Sequence, residues 1–157
     1  MSCKEEIVPQ QLHSDIVIDA SPARVWAILS EFDAYPEWNP FIRRIVGRMS
    51  VGSRLEANLQ PPGGRGMTIR PTVLAAEPER EFRWIGSLVI PGIFDGEHIF
   101  RIEPIGPDRV RFVQEERFSG ALAPLILRFI RESTLEGFAA MNRALKARAE
   151  GTFSSNA

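Results

Sequence analysis

The chain has 157 residues, 44% apolar and 25% charged, with 19 basic against 20 acidic side chains and a net charge of −1. That is the size of one globular domain, which buries roughly 70% of its unfolded surface without cross-links. The charge balance leaves no basic excess to neutralise phosphates, the lone Cys3 excludes an internal disulfide, and no apolar run is long enough to span a bilayer. Nucleic acid and stable membrane insertion are therefore not expected, and a cytoplasmic monomer or homodimer is. Residues 12–20, "LHSDIVIDA", are rich in β-branched side chains and predict a first strand. In "SPARVWAILSEF", Ser21 is placed to cap a helix and Pro22 sits in its first turn. Val25, Ile28, Leu29 and Phe32 follow at helical spacing. Asp33 is expected to cap a second short helix that runs to Trp38 and ends at Asn39–Pro40.

Six further strands are predicted. They are 41–47, 53–60, 67–77, 80–87, 92–104 and 108–119, with "PPGGRG" and "IGP" among the turns. Pro71 implies an edge or a bulge in the third of these. From Ala121 to Glu150 the period changes to helical. Ile126, Ile130, Thr134, Gly137, Met141 and Leu145 form one stripe, flanked by Phe129, Phe138 and Ala144. Arg128–Glu132 and Lys146–Glu150 are spaced to pair on its wet side. The short links between strands predict an antiparallel meander with the long helix over one face.

Three segments carry a resemblance: "IDASPARVWAILSEFDAYPEWNPFI" (18–42), "GEHIFRIEP" (96–104) and "ERFSGALAPL" (116–125), with "GFAAMNRALKARAE" (137–150) closing the chain. The order of elements and these motifs resemble the START-like (SRPBCC, birch-pollen-allergen-like) superfamily, in its bacterial polyketide cyclase/dehydrase-like branch. The resemblance implies an α+β helix-grip fold. A curved antiparallel sheet of about seven strands would wrap a long C-terminal helix, with two short helices after the first strand. It covers residues 11–150 as one domain and leaves 1–10 and 151–157 as terminal extensions. It also places "YPEWNP" (35–40) in the helical corner that leads into the meander. That stretch is read as structural, with Trp38 burying its ring there.

Strand periodicity then assigns faces. Arg101 and Glu103 claim the outer face of 92–104, which turns His98, Phe100 and Ile102 inward. Arg109, Arg111, Glu115 and Arg117 do the same for 108–119 and turn Phe112, Gln114 and Glu116 inward. Phe82 and Trp84 face in if Arg83 faces out. A tight hairpin at 105–107 puts His98 opposite Gln114, with Glu116 one step further along. The long helix adds Thr134, Phe138 and Met141, and the small Gly137 suggests free space between helix and sheet. A lone inward histidine is more often a hydrogen-bonded core residue than a catalyst, but a buried Glu116 is costly unless paired.

An apolar cleft with a few convergent polar groups is the usual form of a small-molecule site. The resemblance implies a binding or carrier protein for a lipid-, polyketide- or isoprenoid-like molecule. The ligand-binding candidates are Phe82, Trp84, His98, Phe100, Phe112, Gln114, Glu116, Thr134, Phe138 and Met141. The alternative is an aromatase, cyclase or dehydratase, in which His98 removes a proton beside a carbonyl and Glu116 orients it or acts as an acid. "PPGGRG" lacks the ending of a phosphate loop, and no G-x-S-x-G elbow occurs. Two histidines and one cysteine predict neither a metal site nor a cofactor. The apolar "LVIPGIF" (88–94) is read as a hairpin tip that could gate the cavity, touch a partner or lipid, or fold back on its own sheet.

Overall fold

Ser21 closes the first helix as its sequence position predicts: its hydroxyl accepts from the Arg24 N–H at 3.1 Å, with Pro22 in the first turn. In a computed structural model describing residues 10–88 and 90–151, strand β1 (Gln10–Ile18) precedes this helix, α1 (Pro22–Ser30). The predicted terminal extensions, Cys3 included, lie almost wholly outside the described residues. Val25, Ile28 and Leu29 are the buried stripe of α1. A single 3-10 turn (Phe32–Ala34) and the four-residue α2 (Tyr35–Trp38) follow.

Asp33 caps neither of these elements; no side-chain cap bond forms at either N-terminus. Burial and one amide hold the corner instead. Tyr35 and Trp38 are buried, and the Tyr35 hydroxyl donates to the Leu29 carbonyl. That burial pushes the phenol's pKa far up, so the ring stays neutral. The fully buried Asn39 accepts from the N–H groups of Phe41 and Ile42, at 3.0 and 2.9 Å, and so turns the chain from α2 into the next strand.

The remaining strands are β2 (Ile42–Val46), β3 (Glu56–Leu59), β4 (Met67–Ile69), β5 (Thr72–Glu77), β6 (Glu81–Leu88), β7 (Phe94–Gly106) and β8 (Arg109–Ser119). They form a five-stranded sheet in the order β1-β8-β7-β6-β5 and a three-stranded sheet in the order β2-β3-β4, with antiparallel pairing throughout. The run 67–77 is two strands, not one. Pro71 has no N–H to give to a ladder, and the chain changes partner there from β3 to β6. Its carbonyl still accepts from Leu55 N at 2.8 Å, and Val73 N donates to Ser53 O at 2.9 Å, so the two sheets stay joined at this point.

The β7–β8 hairpin differs from expectation by one residue in its centre. Gly106 pairs with Arg109, and a bulge lies between Pro104 and Gly106. Every cross-strand partner moves by two, so His98 lies opposite Glu116 and Phe100 opposite Gln114. A shift of two preserves the faces, because side chains alternate with a period of two. His98, Phe100, Ile102, Phe112 and Gln114 are accordingly buried, as are Phe82 and Trp84 on β6.

Helix α3 (Ala123–Ala149) packs chiefly on β1 and completes the helix-grip arrangement. Leu127, Phe138, Met141, Asn142 and Leu145 form its buried face, whereas Phe129, expected to flank it, is 80% exposed. Lys146 pairs with Glu150 at 2.6 Å and also donates to the Val17 carbonyl at 2.8 Å, which ties the helix end to β1. Gly137 does not border free space. A Cβ there would stand 2.5 and 2.7 Å from two carbons of the Phe41 ring. Its lack of a side chain admits that ring, which packs edge-on against Phe138 at 5.6 Å.

Candidate functional site

Three cross-strand rows explain where the interior is full and where it opens. In one row Phe82, Phe100 and Gln114 stand side by side across β6, β7 and β8, with Ser14 of β1 beyond them. The next row is Trp84, His98 and Glu116; the one after is Gly86, Gly96 and Phe118. The first row is solid core: Phe82 and Phe100 stack at 5.5 Å, and Gln114 is fully buried. The last row contains two glycines, so the sheet there presents backbone where large side chains would otherwise fill the space.

A cavity of about 260 Å³ occupies that space, bounded by β6–β8, the three-stranded sheet and α3. Its walls are mostly apolar. Leu59, Met67 and Ile69 face it from the small sheet, Phe94 and Phe118 from the large one, and Ile130 and Phe138 from α3. Exposed Gly64, Arg65 and Ser87 mark its mouth. Of the predicted residues, Trp84, His98, Glu116, Thr134 and Phe138 line the cavity. Phe82, Phe100, Phe112 and Met141 lie in the buried core without lining it, and Gln114 stands behind His98.

The polar end of the cavity is His98 and Glu116. His98 is 3% exposed, its ring stacked on Phe100 at 4.1 Å and flanked by Trp84 at 5.4 Å and Phe138 at 4.9 Å. Its Nδ1 lies 2.8 Å from Glu116 Oε2 and its Nε2 lies 3.1 Å from Gln114 Oε1. Gln114 Nε2 donates to Asn142 Oδ1 at 2.7 Å and to the Phe138 carbonyl at 3.2 Å. Asn142 Nδ2 donates to Ser14 Oγ at 3.0 Å. Glu116 thus has the partner that burial of a carboxylate demands, and its side chain keeps 13% of its surface exposed. The missing side chain at Gly96 leaves room for the Glu116 carboxylate, whose Oε1 occupies the place a Cβ there would take.

The other face of the sheet carries most of the remaining ion pairs of this region. Arg83 bridges Glu81 and Glu97, at 2.9 and 3.0 Å, and hydrogen bonding to Glu81 holds its guanidinium pKa above the ordinary value. The tip between β6 and β7 is tied to the start of α3: Ala121 N donates to Gly92 O at 3.0 Å and Leu122 N to Ile93 O at 2.9 Å. Val89 and the side chain of Leu88 lie outside the described residues. Among the described residues no cluster of three His, Cys, Asp or Glu could hold a metal ion, and no helix is long and apolar enough to cross a membrane.

Sequence reasoning missed Phe41, Met67, Ile69, Arg65, Gly96 and Asn142. Two of these carried a readable signal. Gly96 interrupts a strand, which marks close approach of another group. Asn142 is an amide beside Met141 on the apolar face of a helix, where an uncompensated polar group is costly.

A family model described as polyketide cyclase/dehydrase and lipid transport matches residues 9–150. No curated protein matches in sequence. Among solved structures, the di-domain aromatase/cyclase StfQ of steffimycin biosynthesis superposes with a TM-score of 0.71 at 14% identity, over 90% of this chain and 51% of that one. The present chain therefore spans about half of StfQ. A START superfamily protein from Mycobacterium smegmatis superposes with a TM-score of 0.67 at 22% identity, covering 91% of this chain and 99% of that one. Norcoclaurine synthase from Thalictrum flavum, solved with dopamine and hydroxybenzaldehyde, gives a TM-score of 0.70 at 16% identity, with 94% and 90% covered. At these identities the likeness is one of fold.

Proposed function

The chain belongs to the polyketide cyclase/dehydrase and lipid transport family, and we propose that it binds a hydrophobic small molecule in the cavity between α3 and the sheets. The observation that carries this reading is the cavity itself, about 260 Å³ of mostly apolar space with one polar end. Burial of apolar ligand surface supplies the driving force, about 25 cal/mol per Å² before the costs of association. The volume lies just under the usual range for ligand pockets, about 300–1,000 Å³, which favours a compact ring compound over a two-chain lipid. Trp84, Thr134 and Phe138 contact its apolar body, and the polar end of the site is formed by the paired His98 and Glu116. The near-neutral charge of the chain supports a small molecule, not nucleic acid, as the partner. A cytoplasmic monomer or homodimer remains part of the reading.

Native mass spectrometry of gently purified protein tests it. The expected result is a population carrying the extra mass of a co-purified small molecule. A bare chain, together with no saturable uptake of compact aromatic probes, would overturn the reading.

One observation favours a second reading, that of a cyclase, aromatase or dehydratase. A histidine and a carboxylate in contact at 2.8 Å border an apolar cavity, an arrangement suited to moving a proton. StfQ and norcoclaurine synthase, on the same fold, lend it general support. Formation of an aromatic product from a poly-β-carbonyl surrogate, lost in Glu116→Ala, would favour the enzyme; binding without turnover would favour the carrier.

A further inference from the structure

We propose that Glu116 Oε1, and not a nitrogen of His98, is the atom that meets the ligand, and that the ligand offers it a hydroxyl donor on a compact apolar ring system. This rests on the ligand-binding reading above. The Phe138 carbonyl can only accept, so the Gln114 group facing it at 3.2 Å is the NH₂. Gln114 Oε1 therefore faces His98 and must accept, which places a hydrogen on His98 Nε2. Asn142 obeys the same order, accepting from Gln114 and passing its own NH₂ to Ser14.

One proton then remains for the 2.8 Å contact between His98 Nδ1 and Glu116 Oε2, and the pair is neutral as a whole whichever atom holds it. Both ring nitrogens are engaged, so His98 has no lone pair or N–H left for a ligand. Glu116 Oε1 is different. It lies over Gly96, itself part of the cavity wall, and no protein donor reaches it among the described residues. In either protonation state of the pair this oxygen is an acceptor. A ligand that presents only a carbonyl or ether there leaves two acceptors facing each other, and one that presents a hydroxyl satisfies both groups. His98 is then a positioning residue. It anchors the far oxygen of the carboxylate, and its own orientation is relayed from Gln114, Asn142 and Ser14.

The test uses 2-naphthol and 2-methoxynaphthalene, which share a ring system and differ in the donor hydrogen, titrated calorimetrically into the full chain. The wild type is expected to prefer 2-naphthol by about threefold to tenfold, the value of one hydrogen bond. Glu116→Ala should bind both alike, whereas Glu116→Gln, which keeps an acceptor oxygen, should retain part of the preference. His98→Phe should lower the ratio, because it keeps a ring but frees the carboxylate; a purely structural role would weaken both compounds equally. A long-range ¹H–¹⁵N spectrum of the wild type should show His98 Nε2 protonated, a readout that needs no variant to fold. Equal binding of the two compounds by the wild type, an undiminished preference in Glu116→Ala, or an unprotonated Nε2 would overturn the proposal alone. Binding of neither compound would instead overturn the ligand-binding reading on which it stands.

Discussion

A leucine at position 137 would have to displace the Phe41 ring, which already occupies the place of its Cβ. Helix propensity favours Leu over Gly by up to about 1 kcal/mol, but overpacking a filled core costs about 1–3 kcal/mol. Gly137→Leu is therefore expected to lower the urea midpoint, and Phe41→Ala in the same chain to recover part of the loss. An unchanged or raised midpoint would show that the ring moves freely. From sequence alone the same glycine suggested open space. A missing side chain on a helix face is compatible with a void and with a close neighbour, and the neighbour lies 96 residues away in the chain. Glu116 was more legible. Its alternation with Glu115 and Arg117 placed it inward, and the cost of burying a carboxylate implied a partner.

Between elements, the passage from α2 to β2 depends on Asn39. Its side-chain oxygen is the acceptor for two consecutive buried N–H groups, those of Phe41 and Ile42. Alanine would leave both to find other partners. At about 1–3 kcal/mol for each buried donor left unsatisfied, and allowing for local relaxation, Asn39→Ala should cost about 2–4 kcal/mol. Thermal or urea denaturation measures it, and a loss under about 0.5 kcal/mol would mean that another acceptor takes over. Phe41 also lines the cavity, so the variant should weaken probe binding as well. This explains the density of rigid residues in "YPEWNP": it sets the angle at which Phe41 enters the core, and none of its six side chains lines the cavity.

For the whole molecule, an occupied cavity and a stable fold are linked. A ligand at 100 times its Kd adds about 2.7 kcal/mol. For a chain of this size each kcal/mol moves Tm by about 2–4 °C, so 2-naphthol at that level should raise Tm by about 5–10 °C. Thr134→Phe should abolish most of this shift without lowering the Tm of the free protein, because Thr134 borders open volume and not packed core. A full ligand-induced shift in that variant would place the binding site elsewhere. A large drop in its unliganded Tm would show instead that the space beside Thr134 is too tight for a ring.

Apart from the break at Pro71, which splits one expected strand between two sheets, the order of elements, the Ser21 cap and the inward face of each central strand were determined by the sequence itself. Each rests on a local rule: a period of two or 3.6, a capping hydroxyl, a proline at a first turn. Tertiary structure decided what depends on distances between remote segments. A bulge near Pro104 set the β7–β8 register. The two adjacent glycines at 86 and 96 set where core gives way to cavity. A chain of hydrogen bonds reaching from His98 through Gln114 and Asn142 to Ser14 set which nitrogen of His98 carries a proton. Its longest link joins residues 128 positions apart, and no pattern within one strand or helix encodes a contact of that kind.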